Sequence, residues 1–267
     1  MRTDGVAELP RVGPLADEPD HAHPSPSVLF AGHPRGLERI TDPQIQAVIW
    51  VPRPVPSWLE ECADAVRDGR LTIARTNRSG LTRAEIEALV GELVPDGLPF
   101  SADLRSDLLG LADHLERISG RRRFQLRIFT EAPSTRCGFH VDTVPPGLPP
   151  FGLMRVYAGS PTQYADRRNI VSIASFHRYM SRRERLLRDI NDGANEGALA
   201  RLIELDRSPE FLCDRADLRV TAPGAVVAFR HLDAADHWNC ERGTDAWIHC
   251  SPMTGERRLV VNVCPSR

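Results

Sequence analysis

From residue 124 onward the chain is a succession of short β-rich runs cut by glycine and proline: FQLRIFTE, FGLMRVYAG, DLRVTAP, AVVAFRH, DAWIHC and RRLVVNVC. Runs this short and closely spaced favour a sandwich or jelly roll over a parallel sheet. One helical segment interrupts them. Ser181 and Glu184 have the spacing of a capping box, and RLLRDINDGANEGALARLIELD carries the pattern on to about Asp206, with a break expected near Gly193.

The region before residue 124 reads differently. Ser57 with Glu60 and Thr82 with Glu85 fit capping boxes, and Ser101 opens SADLRSDLLGLADHLERISG, whose leucines keep helical spacing up to Gly120. Residues 1–45 are proline-rich and polar without an apolar period, and are expected to form an irregular arm; His21, His23 and His33 lie in it, read as solvated residues, with a metal role for HAH the lesser alternative. The expected organisation is therefore an arm (1–45), a small helical layer (46–123) and a β core (124–267) with a helical insertion at about 181–206. The fold class is mainly β with helical additions.

Composition removes several chemistries. All 34 basic residues are arginine, and a chain without lysine has neither the lysine of a Walker-type phosphate loop nor a Schiff-base amine. The net charge of -2 gives no reason to expect nucleic acid or an anionic membrane as partner. No stretch has the apolar length of a membrane span and no signal-peptide layout is present, so a cytoplasmic location is expected. The six cysteines contain no CxxC pair, against a zinc ribbon or a dense disulfide framework.

The segment CGFHVDTVPPG, from Cys137 to Gly147, carries the strongest chemical signal. In an extended strand residues i and i+2 point to the same side, so His140 and Asp142 present an imidazole and a carboxylate toward one point. The prolines and Gly147 stop the strand directly afterward and leave this pair at an open end. His249, 107 residues after Asp142 at the end of DAWIHC, is the candidate third ligand, and Arg257 and Arg258 follow on the next run. A second HxD, His231 with Asp233 followed by His237, lies only 16 residues before His249 and is read as a polar loop near the site mouth.

An early HxD, a distal His and a late Arg resemble the iron(II)- and 2-oxoglutarate-dependent oxygenases, whose two-His-one-carboxylate triad leaves open positions on the metal. More closely, CGFHVD, RVYAGSPTQY, APGAVVAFRH, IHCSP and RRLVVNV, over about residues 124 to 264, resemble the bacterial domain-of-unknown-function family 1826. That resemblance implies a double-stranded β-helix of the cupin-like kind. It also implies iron(II) on His140, Asp142 and His249, 2-oxoglutarate on an arginine, and dioxygen as co-substrate. For the arginine, Arg258 is preferred to Arg257 because it directly precedes the apolar LVV run. The chain departs from the family pattern at Ser160 and Pro161 in YAGSPTQY, and at Ala225 after Gly224.

The expected activity is oxidation of an unactivated C–H bond by hydroxylation, desaturation or ring closure, as in natural product biosynthesis. The expected partner is a small molecule, an amino acid or other carboxylate. Arg127 and Arg155 lie mid-strand, where an unpaired arginine is costly to bury. They face solvent, a carboxylate partner or a substrate anion. With Tyr157, His231 and His237 they make the substrate-binding candidates. Two other readings stay open: a cupin-type metal enzyme that does not use 2-oxoglutarate, and a non-catalytic metal-binding or metal-responsive protein. The latter would need a closed fourth position, and Cys250 points away from the face that His249 presents.

Overall fold

The computed structural model describes residues 27–134, 137–193, 197–239 and 245–267. Its strands are β1 (Val28–Ala31), β2 (Ala47–Trp50), β3 (Thr76–Leu81), β4 (Phe124–Glu131), β5 (Thr143–Val144), β6 (Phe151–Ala158), β7 (Gln163–Tyr164), β8 (Arg219–Val220), β9 (Val226–Arg230), β10 (Leu232–Asp233), β11 (His249–Cys250) and β12 (Arg258–Pro265). Its α-helices are α1 (Trp58–Arg67), α2 (Arg83–Leu93), α3 (Ser101–Ser119), α4 (Ile173–Asn191) and α5 (Ala198–Arg207). The helices hold more residues than the strands, and they pack in two groups, α1, α2 and α3 in one core and α4 and α5 in another.

Seven strands form one mixed sheet in the order β1-β2-β9-β6-β12-β4-β3, antiparallel except for β1 with β2. Across from it lie two short ladders, β11-β7-β8 and β10-β5. Strand alternation sorts the residues between the two sides. Leu126, Ile128, Leu153, Tyr157, Leu259, Val261 and Val263 pack with α1, α2 and α3 in the larger core. Their neighbours Phe129, Met154, Val156, Val227, Phe229 and Val260 face the other way, onto Tyr164 and Trp247. A third core, under α4 and α5, joins Phe176, Tyr179, Leu205 and Phe211 to Phe139, Val141 and Ile248.

Some local signals were obeyed and others were not. Thr82 and Glu85 form a complete capping box, and Gly120 ends α3 in the left-handed conformation with φ 66°. Ser57 has helical backbone and makes no side-chain cap bond. Ser181 lies inside α4, which Ser172 caps by accepting from Ser175 N at 3.1 Å. α4 is followed by Gly193 at φ 63°, near the expected break.

Two expected boundaries differ. Residues 28–31 form β1, and Pro34–Thr41 form a 3-10 helix that His33 caps, so this part of the expected arm is ordered; His21 and His23 lie outside the described residues. Buried Arg230 fastens the segment by donating to the carbonyls of Ile40, Asp42 and Ile45. The expected helical layer also contains β2 and β3. The edge strand β3, TNRSGL, pairs through its backbone and has no buried residue, so it carries no apolar period.

Arg155 and Tyr157 belong to the helical side. Arg155 is 1% exposed, donates to Asp107 of α3 and lies 5.1 Å over the Tyr157 ring, and Tyr157 donates to the same carboxylate. They therefore do not meet a substrate beside His140, because their strand parity is that of Leu153. Asp107→Ala should leave a buried guanidinium uncompensated and lower stability by about 3–5 kcal/mol, read as a shift in the urea midpoint.

Candidate metal centre

One bridge joins the HxD segment to β11. His140 N donates to His249 O at 2.9 Å and His249 N to His140 O at 3.1 Å, an isolated antiparallel bridge. Residues that exchange both hydrogen bonds lie directly opposite and send their side chains to the same face. The two imidazole centroids are accordingly 4.5 Å apart. Asp142 comes to the same point from two residues on, its backbone fixed where Leu232 N donates to Asp142 O at 2.9 Å. His140 Nε2 and Asp142 Oδ1 are 3.7 Å apart, and one ligand atom from each of the three residues lies within 4.8 Å of the others.

Each imidazole is turned by its other nitrogen. His140 Nδ1 is 2.9 Å from Gly138 O and His249 Nδ1 is 3.0 Å from Trp247 O. A carbonyl can only accept, so each Nδ1 carries the proton and each Nε2 offers a lone pair. Burial drives the His249 pKa down to about 3, which keeps that ring neutral. Burial opposes the Asp142 charge, but the polar groups facing it, with Arg127 the permanent cation among them, hold the carboxyl well below its usual range. Two neutral imidazoles and a carboxylate on one side fit iron(II) or another divalent metal, and no fourth His, Cys, Asp or Glu joins them among the described residues.

The insertion helices grip the ligand-bearing segment. Phe139 N donates to Tyr179 Oη at 3.0 Å, and that hydroxyl donates to Asp206 Oδ1 at 2.7 Å. Arg183 Nε completes the group on Asp206 at 3.0 and 3.1 Å. Gly138 is required here, because a Cβ would run into Arg183 and Tyr179.

A cavity of roughly 260 Å³ opens beside the three ligands. Arg258 is its deepest cation, 3% exposed, with Nη2 donating to Thr162 Oγ1 at 2.9 Å and Nη1 to Ser251 Oγ. Its Nε has no partner, and no ion pair reaches it among the described residues. Arg257 is exposed just before β12. A buried guanidinium held only by two hydroxyls is poorly compensated and fits an incoming carboxylate.

Arg127 faces the same cavity, with Nη2 3.7 Å from Asp142 Oδ2. In the orientation that satisfies its amide, Asn262 accepts from Arg127 Nη2 at 3.0 Å and donates to Val261 O at 3.1 Å. His231 is 3% exposed at the end of β9, a buried residue and not part of a mouth loop, with its pKa lowered by burial to about 4. His237 lines neither this cavity nor the one behind it. The chain turns away at Asp233, whose carboxylate accepts from Ala235 N at 2.8 Å, and His237 packs against Trp238. Thr162, Ser251, Asn262 and Tyr179 went unnoticed in the sequence. Ser251 and Asn262 stand two and four residues from His249 and Arg258, so strand parity alone could have found them.

Among protein-family models, one described as "Protein of unknown function (DUF1826)" matches residues 31–263. The chain belongs to the DUF1826 family. The match takes in β2 and β3 as well as the motifs that surround the metal centre. No curated protein matches this DUF1826 chain. Solved structures similar to it include a full-length Neurospora crassa protein in complex with alpha-KG, 10% identical over 87% of this chain and 76% of that one, with a TM-score of 0.38. A rice dioxygenase for auxin oxidation is 11% identical over 89% and 81%, with a TM-score of 0.40. The Arabidopsis thaliana dioxygenase for auxin oxidation 1, in a 2-oxoglutarate complex, is 11% identical over 89% and 91%, also at 0.40.

Two outcomes test the site's construction. Tyr179→Phe should cost about 1–3 kcal/mol by leaving Phe139 N–H unpaired, and weaken zinc(II) affinity about tenfold, both measurable by urea titration and calorimetry. In metal-free protein His249 and His231 stay neutral down to about 3 and about 4, against the ordinary 6.5. The unfolded chain therefore binds more protons below pH 6.5, and stability present above that value is lost as pH falls. Each histidine contributes up to about 1.4 kcal/mol per pH unit. Urea midpoints should fall from about pH 7 to about pH 5, less steeply in His231→Gln.

Proposed function

We propose that this chain is a mononuclear iron(II)- and 2-oxoglutarate-dependent oxygenase that oxidises an unactivated C–H bond of a small substrate, in the cytoplasm. The observation that carries the reading is one cavity holding both His140, Asp142 and His249 and a buried arginine, Arg258, with no counter-ion among the described residues. The seven-stranded sheet and the short ladders facing it then correspond to the two sides of an open double-stranded β-helix.

Iron(II) with 2-oxoglutarate and dioxygen supplies an oxidant able to take hydrogen from such a carbon. The chain's own residues do the rest. His140 and His249 offer Nε2 because Gly138 O and Trp247 O hold their Nδ1 protons, and Asp142 offers a carboxylate kept ionised by its neighbours. Arg258, steadied by Thr162 and Ser251, would receive the far carboxylate of 2-oxoglutarate with its planar guanidinium. Met154, Phe129 and Val260 line the cavity with apolar surface that keeps water low around the reacting groups.

Iron(II) and then 2-oxoglutarate, added anaerobically to metal-free protein, should give a visible metal-to-ligand charge-transfer band. His140→Ala should abolish it. Arg258→Ala should weaken 2-oxoglutarate binding by about 2 kcal/mol or more, roughly thirty-fold. Tight metal binding without a band in the wild type would instead favour a cupin-type enzyme or a metal-responsive protein.

A further inference from the structure

Asp142 also borders a second, adjacent cavity, a lobe of roughly 190 Å³. Gln125, Thr143, His231 and Cys264 line it, and Arg127, Asp142 and Asn262 are shared with the lobe that holds Arg258. A space of this size is below the 300–1,000 Å³ typical of drug-sized ligands, so it admits a small metabolite.

His231 is the unexplained group. It is 3% exposed, its ring centroid is 4.7 Å from that of Phe229, and among the described residues neither ring nitrogen has a hydrogen-bond partner. Burying an imidazole in this way costs free energy that an apolar side chain would not incur. The chain nevertheless makes room for it. A Cβ on Gly152 would stand 2.9 Å from both His231 Cε1 and Cys264 Sγ. A neutral imidazole donates once and accepts once, which matches a hydroxyl or amino group on a ligand.

The charges around the two lobes identify the rest of that ligand. Arg75 pairs with Glu131, Arg183 with Asp206 and Arg127 with Asp142. Arg258 and a divalent metal then add three positive charges, and 2-oxoglutarate brings two negative ones. One positive charge remains unbalanced. It falls at Arg127, because its partner Asp142 is the residue that a metal would draw on.

Resting on the iron and 2-oxoglutarate reading above, we propose that the His231 lobe is the substrate site. Its ligand is a small monocarboxylate whose carboxylate pairs with Arg127 and whose hydroxyl or amino group pairs with His231. Asp142 separates this site from the 2-oxoglutarate lobe, so both molecules bind together.

The full chain, loaded with zinc(II) and saturating 2-oxoglutarate to prevent turnover, would be titrated with lactate and 3-hydroxybutanoate, each beside its neutral carboxamide, by ligand-observed NMR. At least one carboxylate should bind about tenfold or more tightly than its amide. Arg127→Gln should erase that preference. His231→Phe should weaken the carboxylate about tenfold, and His231→Gln should restore part of the loss. Absence of any carboxylate preference, or a preference unchanged in Arg127→Gln and His231→Phe, would overturn the proposal. Carboxylate binding that vanishes when 2-oxoglutarate saturates would place the probe on Arg258 and overturn it equally. The anaerobic iron band, recorded first on the wild type, separates these failures from failure of the underlying reading.

Discussion

Two hydrogen bonds between His140 and His249 organise the functional side of this molecule. Without them the residues are 109 positions apart, on segments that share no long ladder. With them the two imidazoles face one point, and each ring is turned by a carbonyl within two residues of it. Asp142 needs only the extended spacing of the HxD segment to join them. The site is thus set by backbone pairing first and side-chain chemistry second, the order that gives a metal site its geometry before any ligand arrives.

The insertion and the sheet each hold one side of this pair. Tyr179, Arg183 and Asp206 form a buried polar group whose hydroxyl ends on the amide of Phe139, next to the first ligand. From the sheet, β12 sends Arg258, Val260 and Asn262 into the cavity and Leu259, Val261 and Val263 into the helical core. The parity of this one strand therefore decides both which arginine is buried and which apolar residues stabilise the fold. A one-residue slip would exchange the two sets.

Strong local signals made part of this legible. FQLRIFTE is β4 from its first residue to its last, Thr82 with Glu85 caps α2, and the HxD segment converges with His249. Of the two candidate arginines, Arg258 is buried and Arg257 is exposed. What the sequence hid were features whose partners lie far away in the chain. β3 has no apolar alternation because an edge strand needs only backbone pairing. Arg155 resembled a ligand-binding arginine because Asp107, which neutralises it, comes from a helix 48 residues earlier. His231 resembled a loop residue because the space that buries it is created by a missing side chain at Gly152.

β12 also lies in the middle of the large sheet, between β4 and β6, although it is the last strand in the chain. As the polypeptide is synthesised, β4 and β6 appear with the edges that will face each other through β12 still unpaired. Those two edges offer free N–H and C=O groups to any other strand. The nascent protein is consequently most prone to mispairing in the interval before residues 258–265 are made, and insertion of a single C-terminal strand closes both edges and carries Arg258 into the cavity in one step.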